Sequence, residues 1–89
     1  MKQIVFDIEA NGLNPDTVWC IIAYEREAKE YIEWSGDTLP NFKDWVKEQD
    51  ELEVIGHNII GYDIPVLERL LKVDFSKCKV TDTLVMSRL

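Results

Sequence analysis

Phe6-Asp7-Ile8-Glu9-Ala10-Asn11-Gly12-Leu13 places two carboxylates two residues apart inside an otherwise apolar segment. Side chains alternate along a strand, so Asp7 and Glu9 project from the same face, side by side. Two such charges about 5 Å apart repel by roughly 3 kcal/mol at an effective dielectric of about 20. Proteins accept that repulsion where a divalent cation, a shared proton or a basic partner offsets it. Such a pair wants a cation, and no Lys or Arg lies between Gln3 and Tyr24.

Working outward, Gln3 to Glu9 reads as a buried strand, ended by the turn-rich Asn11-Gly12-Leu13-Asn14-Pro15-Asp16. Val18 to Tyr24 is apolar at nearly every position and predicts an interior strand covered on both faces. Glu30 to Trp34 alternates polar and apolar residues next to Glu27-Ala28-Lys29, the pattern of a charged edge strand. Leu39, Phe42, Trp45 and Val46 recur at helical spacing and predict a helix over 38–49, with Pro40 in its first turn. A short strand over 53–58 follows. A second helix starts near Tyr62 or Asp63, with Pro65 in its first turn and Val66, Leu67, Leu70 and Leu71 facing inward. A last strand over 79–81 runs into Asp82-Thr83, with Asp82 capping a helix that begins at Leu84 and is cut short at Leu89. Three strands joined as an antiparallel meander, then alternating helices and parallel strands, give an α/β fold with a mixed sheet.

Bulk properties narrow the classes. The 89 residues make one small domain, and a hydrophobic fraction of 46% with three Trp supports a folded core. No apolar run approaches the roughly 18 residues that cross a membrane, and Met1-Lys2-Gln3 leads straight into a strand without signal-peptide character. A cytosolic, cytoplasmic protein is the expectation. Cys20 and Cys78 lack metal-ligand spacing and read as reduced thiols. The net charge of −7 argues against a simple DNA-binding module, which is ordinarily basic. It leaves room for an enzyme that grips phosphates through metal ions.

A second segment, Gly56-His57-Asn58-Ile59-Ile60-Gly61-Tyr62-Asp63, joins a strand end to a helix start. Ligands collect at strand ends in α/β sheets, so Asn58 and Asp63 are expected to face Asp7 and Glu9 across one crevice, where three acids converge. An all-oxygen set suits Mg²⁺ or Mn²⁺.

The stretch from Asp7 to Leu13, the stretch from Asn58 to Asp63, and Asp82-Thr83-Leu84-Val85-Met86-Ser87-Arg88-Leu89 together resemble the 3′–5′ proofreading exonuclease domain of family A DNA polymerases, of the phage replicative type. The likeness runs over essentially the whole chain, as the N-terminal portion of a single exonuclease domain spanning 1–89. That resemblance implies a ribonuclease H-like fold and two Mg²⁺ or Mn²⁺ ions. Asp7 bridges both ions, Glu9 binds the ion that carries the attacking water, and Asp63 holds the other. Asn58 lies near the substrate and metal shell. Ala10 and Asn11 fall on the substrate side, and Leu13 packs against the terminal bases of a frayed strand. The implied partners are a single-stranded DNA 3′ end and the remainder of a polymerase chain. The family's third motif, a Tyr or His four residues before a fourth metal-binding Asp, is not found within the 89 residues. The chain alone is therefore expected to hold a partial, inactive site and to leave an apolar surface open to homodimerisation. A free-standing exonuclease on RNA or DNA and a non-catalytic scaffold of the same fold are the rival readings.

Other residues read structurally. Tyr62 packs, His57 is a hydrogen-bonded strand-end residue, Trp19, Trp34 and Trp45 belong to core or partly buried scaffold, and 48–51 is solvated surface.

Overall fold

The computed structural model describes residues 1–86, and β1 (Lys2–Ala10) lies at its centre. Antiparallel to it runs β2 (Val18–Glu25), followed by the edge strand β3 (Glu30–Ser35). A 3₁₀ turn over Gly36–Thr38 leads into α1 (Asn41–Glu48), which returns the chain to β4 (Leu52–Gly56), parallel to β1. A π-helical turn, Ile59–Asp63, opens α2 (Ile64–Leu70), and β5 (Lys79–Asp82) adds in parallel to β4 before α3 (Thr83–Met86). The spatial order β3-β2-β1-β4-β5 is the antiparallel meander and parallel extension that the sequence predicts. The expected continuation of the last helix to Leu89 falls on 87–89, outside the described residues.

One face of the sheet makes the core. Ile4, Phe6 and Ile8 of β1 lie beside Ile21 and Ala23 of β2, Trp34 of β3 and Val54 of β4, all buried. Over them pack Phe42 and Val46 of α1, Val66 and Leu67 of α2, and Val73 and Phe75 of the loop that follows. Phe42 is the hub. Its ring meets Trp34 edge-on at 4.7 Å and lies 6.4 Å from Phe6 and 6.3 Å from Phe75. Aromatic contacts at these separations add to the area they bury.

The opposite face departs from expectation. β2 is not covered on both sides, because α1 and α2 both pack into the same core. Val5, Asp7 and Glu9 of β1, Trp19 and Ile22 of β2 and Tyr31 of β3 are all exposed. Trp19 is 57% exposed and is no part of the core, unlike Trp34. β1 is thus buried on one face only. Across β1, β4 and β5 that outer face carries one sealed polar contact. Glu53 is buried, accepting hydrogen bonds from Gln3 Nε2 at 2.6 Å and Thr81 Oγ1 at 2.5 Å. These two donors, Thr81 first, hold its carboxyl below the usual range.

Phe42→Ala should cost about 3–5 kcal/mol in urea denaturation, as deletion of a buried aromatic does. Tyr31→Ser, on the open face, should cost about 1 kcal/mol, the worth of its ring contact with Tyr24. Equal losses at both positions would contradict a one-sided core.

Candidate metal centre

Three parallel strands, β1, β4 and β5, end at the same edge of the sheet, the usual place for a ligand site in open α/β sheets. β1 brings Asp7 and Glu9 to that edge on its outer face. The Ile8 N–H donates to Asp7 Oδ1 at 3.0 Å, and the register of β1 on β2 shifts between Glu9 and Ala10. Glu9 lies opposite Cys20. Burial raises the Cys20 thiol above its usual range, and the charges of Glu9, Glu33 and Asp7 raise it further, so this part of the face is negatively charged.

β4 ends at Gly56, where a Cβ would stand 2.9 Å from the Phe6 carbonyl oxygen and strike the Ile59 side chain. Only glycine lets the 57–63 segment fold this tightly over β1. Asn58 then takes the left-handed conformation, φ 58° and ψ 31°, which Asn tolerates better than most residues. The chain turns through the π-helical segment, a feature frequent at functional sites, and delivers Asp63 to the start of α2.

Asp63 is only 4% exposed, and its Oδ2 is buried with no hydrogen-bond partner among the described residues. Burial first, then the negative charge of Asp7 and, least, that of Asp82 outweigh the N–H groups of Ile8 and of Asp63 itself and push its carboxyl up from 3.8 to about 7. A buried carboxylate oxygen without a donor, under the field of a second carboxylate, is relieved by a proton or by a cation. The residues therefore fit a hard divalent ion. Among the described residues no group of three or more His, Cys, Asp or Glu is drawn together as a metal site. Asp63 is buried at the start of α2, and Asp7 and Glu9 are exposed on β1.

The loop that follows β1 is braced from within and from α2. Asn11 Oδ1 accepts from the Asp16 and Thr17 N–H groups at 3.1 and 3.0 Å, and Asn11 Nδ2 donates to Asp16 Oδ1 at 2.6 Å. These contacts lower the Asp16 carboxyl, Asn11 being the main cause. The Asn11 side chain thus braces the loop. Tyr62, expected only to pack, donates its hydroxyl to the Gly12 carbonyl, and Arg69 donates to the Pro15 carbonyl at 2.5 Å. Ala10 is half-buried at the strand end, whereas Leu13 is 95% exposed at the loop tip. Asn58 is exposed. His57 is hydrogen-bonded as expected, its Nδ1 lying 3.2 Å from Thr83 Oγ1.

Sequence reasoning took Asp82 only as a helix cap. It does accept from the Leu84 N–H at 2.9 Å, but it also accepts from the Asn58 and Ile60 N–H groups at 2.8 and 2.9 Å. No local pattern signals these two contacts, because the amides lie 24 and 22 residues back in the chain.

With the geometry in place, the comparisons assign the class. The RNase_H superfamily model matches residues 4–86, and the chain belongs to that superfamily. Among solved structures it is similar to the family B DNA polymerase from the hyperthermophilic archaeon Pyrobaculum calidifontis, with a TM-score of 0.71 and 18% identity over 98% of this chain. The match spans 16% of that polymerase chain. No curated protein matches. The likeness shows the fold; neither family A nor a phage type is established by it.

Ionised Asp63 opposes folding. Its folded pKa of about 7 lies above the ordinary 3.8, so the penalty is absent below that ordinary value and complete above about pH 7. In EDTA, Asp63→Asn should therefore melt higher than the wild type at about pH 8, with the difference vanishing toward about pH 4. A constant difference across that range would contradict the assignment.

Proposed function

We propose that this chain is part of a divalent-metal-dependent 3′–5′ exonuclease of the proofreading kind, acting on single-stranded or frayed DNA ends. The observation that carries the reading is the unpartnered, buried oxygen of Asp63 beside Asp7 at the ends of three parallel strands. Asp7 and Asp63 would hold the ions, with Glu9 joining from the outer face. Two divalent ions, when bound, stabilise charge on the attacking and leaving oxygens of a phosphodiester.

The chain's own residues supply the rest. Carboxylates repel a phosphate unless cations intervene, so the acidic edge excludes nucleic acid from the metal-free site. Leu13, on a loop anchored through Asn11, Tyr62 and Arg69, offers an apolar tip against which a terminal base can stack without ordering the loop anew. Family A and the phage replicative type are the finer proposal, supported by the order of Asp7 to Leu13, Asn58 to Asp63 and Asp82 to Leu89 along the chain. The relative that carries the structural likeness is itself a DNA polymerase. On this reading the chain works as part of a larger polymerase, and metal binding is the readout that bears most directly on Asp7 and Asp63.

Titration of Mn²⁺ into the chain and into Asp7→Ala, with a 3′-labelled single-stranded oligodeoxynucleotide present, tests the proposal. The wild type should bind Mn²⁺ and the variant should lose that binding, with label released slowly or not at all by the chain alone. Absence of binding at about millimolar Mn²⁺, well above ordinary site affinities, would overturn it.

A further inference from the structure

We propose that Asp82 is a positioning residue for the metal site, holding the segment that carries Asp63 through hydrogen bonds to the Asn58 and Ile60 amides; the inference rests on the metal reading of Asp63 given above. Asp82 ends β5, one strand beyond β4, and is 4% exposed. Its Oδ1 accepts from Asn58 N at 2.8 Å and Leu84 N at 2.9 Å, and its Oδ2 accepts from Ile60 N at 2.9 Å.

The alternative is a helix cap alone. A cap satisfies amides of the helix that follows it, and the Leu84 contact does that. The other two contacts go 24 and 22 residues back in the chain, to the turn between β4 and α2. That turn has two features needing support. Asn58 sits in the left-handed region, and the π-helical segment after it leaves its first N–H groups without partners inside the turn. A buried carboxylate placed there fixes both, because charge-assisted hydrogen bonds are about twice as strong as neutral ones. Asp63 is three residues past Ile60 at the end of the same turn, so freeing Asn58 and Ile60 loosens the base on which the Asp63 carboxylate is aimed. Further bracing of the same region comes from the contact between His57 Nδ1 and Thr83 Oγ1, and from Thr83 Oγ1 donating to the Gly56 carbonyl at 3.4 Å. β5 and the start of α3 therefore grip the end of β4 from one side, with Asp82 as the buried member of that grip.

Two substitutions separate cap from positioning. Asp82→Ser keeps a good cap for Leu84 but is too short to reach both distant amides. Asp82→Asn keeps the Oδ1 acceptor for Asn58 and Leu84 and turns an amide group toward the Ile60 N–H. Three readouts are taken on the whole chain: Mn²⁺ affinity, melting temperature in EDTA, and amide hydrogen exchange at Asn58 and Ile60, with Phe42 as the core reference.

The expected result is Mn²⁺ affinity weaker by about 10–100-fold, the range for lost outer-shell partners. Exchange should quicken at Asn58 and Ile60 and stay unchanged at Phe42. Mn²⁺ affinity equal to wild type in a folded Asp82→Ser chain would overturn the inference and leave the metal reading intact. If Asp82→Ser does not fold, the same readouts on Asp82→Asn decide in the same way. A wild-type chain whose Mn²⁺ binding is absent or indifferent to Asp63→Asn would overturn the metal reading, and this inference with it.

Discussion

A carboxylate buried beside another carboxylate is the constraint on which the rest of the structure turns. Asp63 is shut away from water, one of its oxygens has no donor among the described residues, and Asp7 adds a like charge to its surroundings. Such a group resists ionisation, and the fold bears the cost whenever it does ionise. A chain that needed only a well-packed helix start would do better with an apolar or amide side chain at this position. The arrangement is intelligible as a site built for a cation, in which the same repulsion that weakens the metal-free fold strengthens the bound state.

The architecture serves that constraint. Parallel pairing of β1, β4 and β5 brings three strand ends to one edge, and the segment after β4 is forced to turn sharply by the close approach at Gly56. Stability comes from elsewhere, from the aromatic cluster around Phe42 on the inner face. This separation lets the outer edge keep exposed acids, an exposed Leu13 and an apolar strand face without undermining the core. Buried polar contacts at Glu53 and Asp82 tie the parallel strands and their connections together.

Much of this was legible in the residues. Alternation along Asp7-Ile8-Glu9 placed both acids on one face, and glycine, proline and cap residues marked the turns closely enough to find five strands and a mixed sheet. What was not legible has a physical reason in each case. A continuous apolar run such as Val18 to Tyr24 looks the same whether its second face is covered or bare, because periodicity reports hydrophobicity and not the number of layers; hence Trp19 was misplaced. Glu9 shares a strand face with Asp7, but sharing a face does not decide how far a third acid from another layer approaches it. The grip of Asp82 on Asn58 and Ile60 depends on β4 and β5 being neighbours, a contact that no local pattern encodes. The Asn11 contacts that brace its loop likewise depend on the turn conformation and not on the motif alone.

The central claim is that Asp7 and Asp63 are two sides of one cation site. Anomalous diffraction from crystals of the chain grown with Mn²⁺ tests it most directly. The account predicts a manganese peak at about 2.1 Å, a usual oxygen-coordination distance for small divalent ions, from a carboxylate oxygen of Asp63 and from one of Asp7. A peak bound elsewhere, or none with Asp63 still buried and protonated, would contradict it.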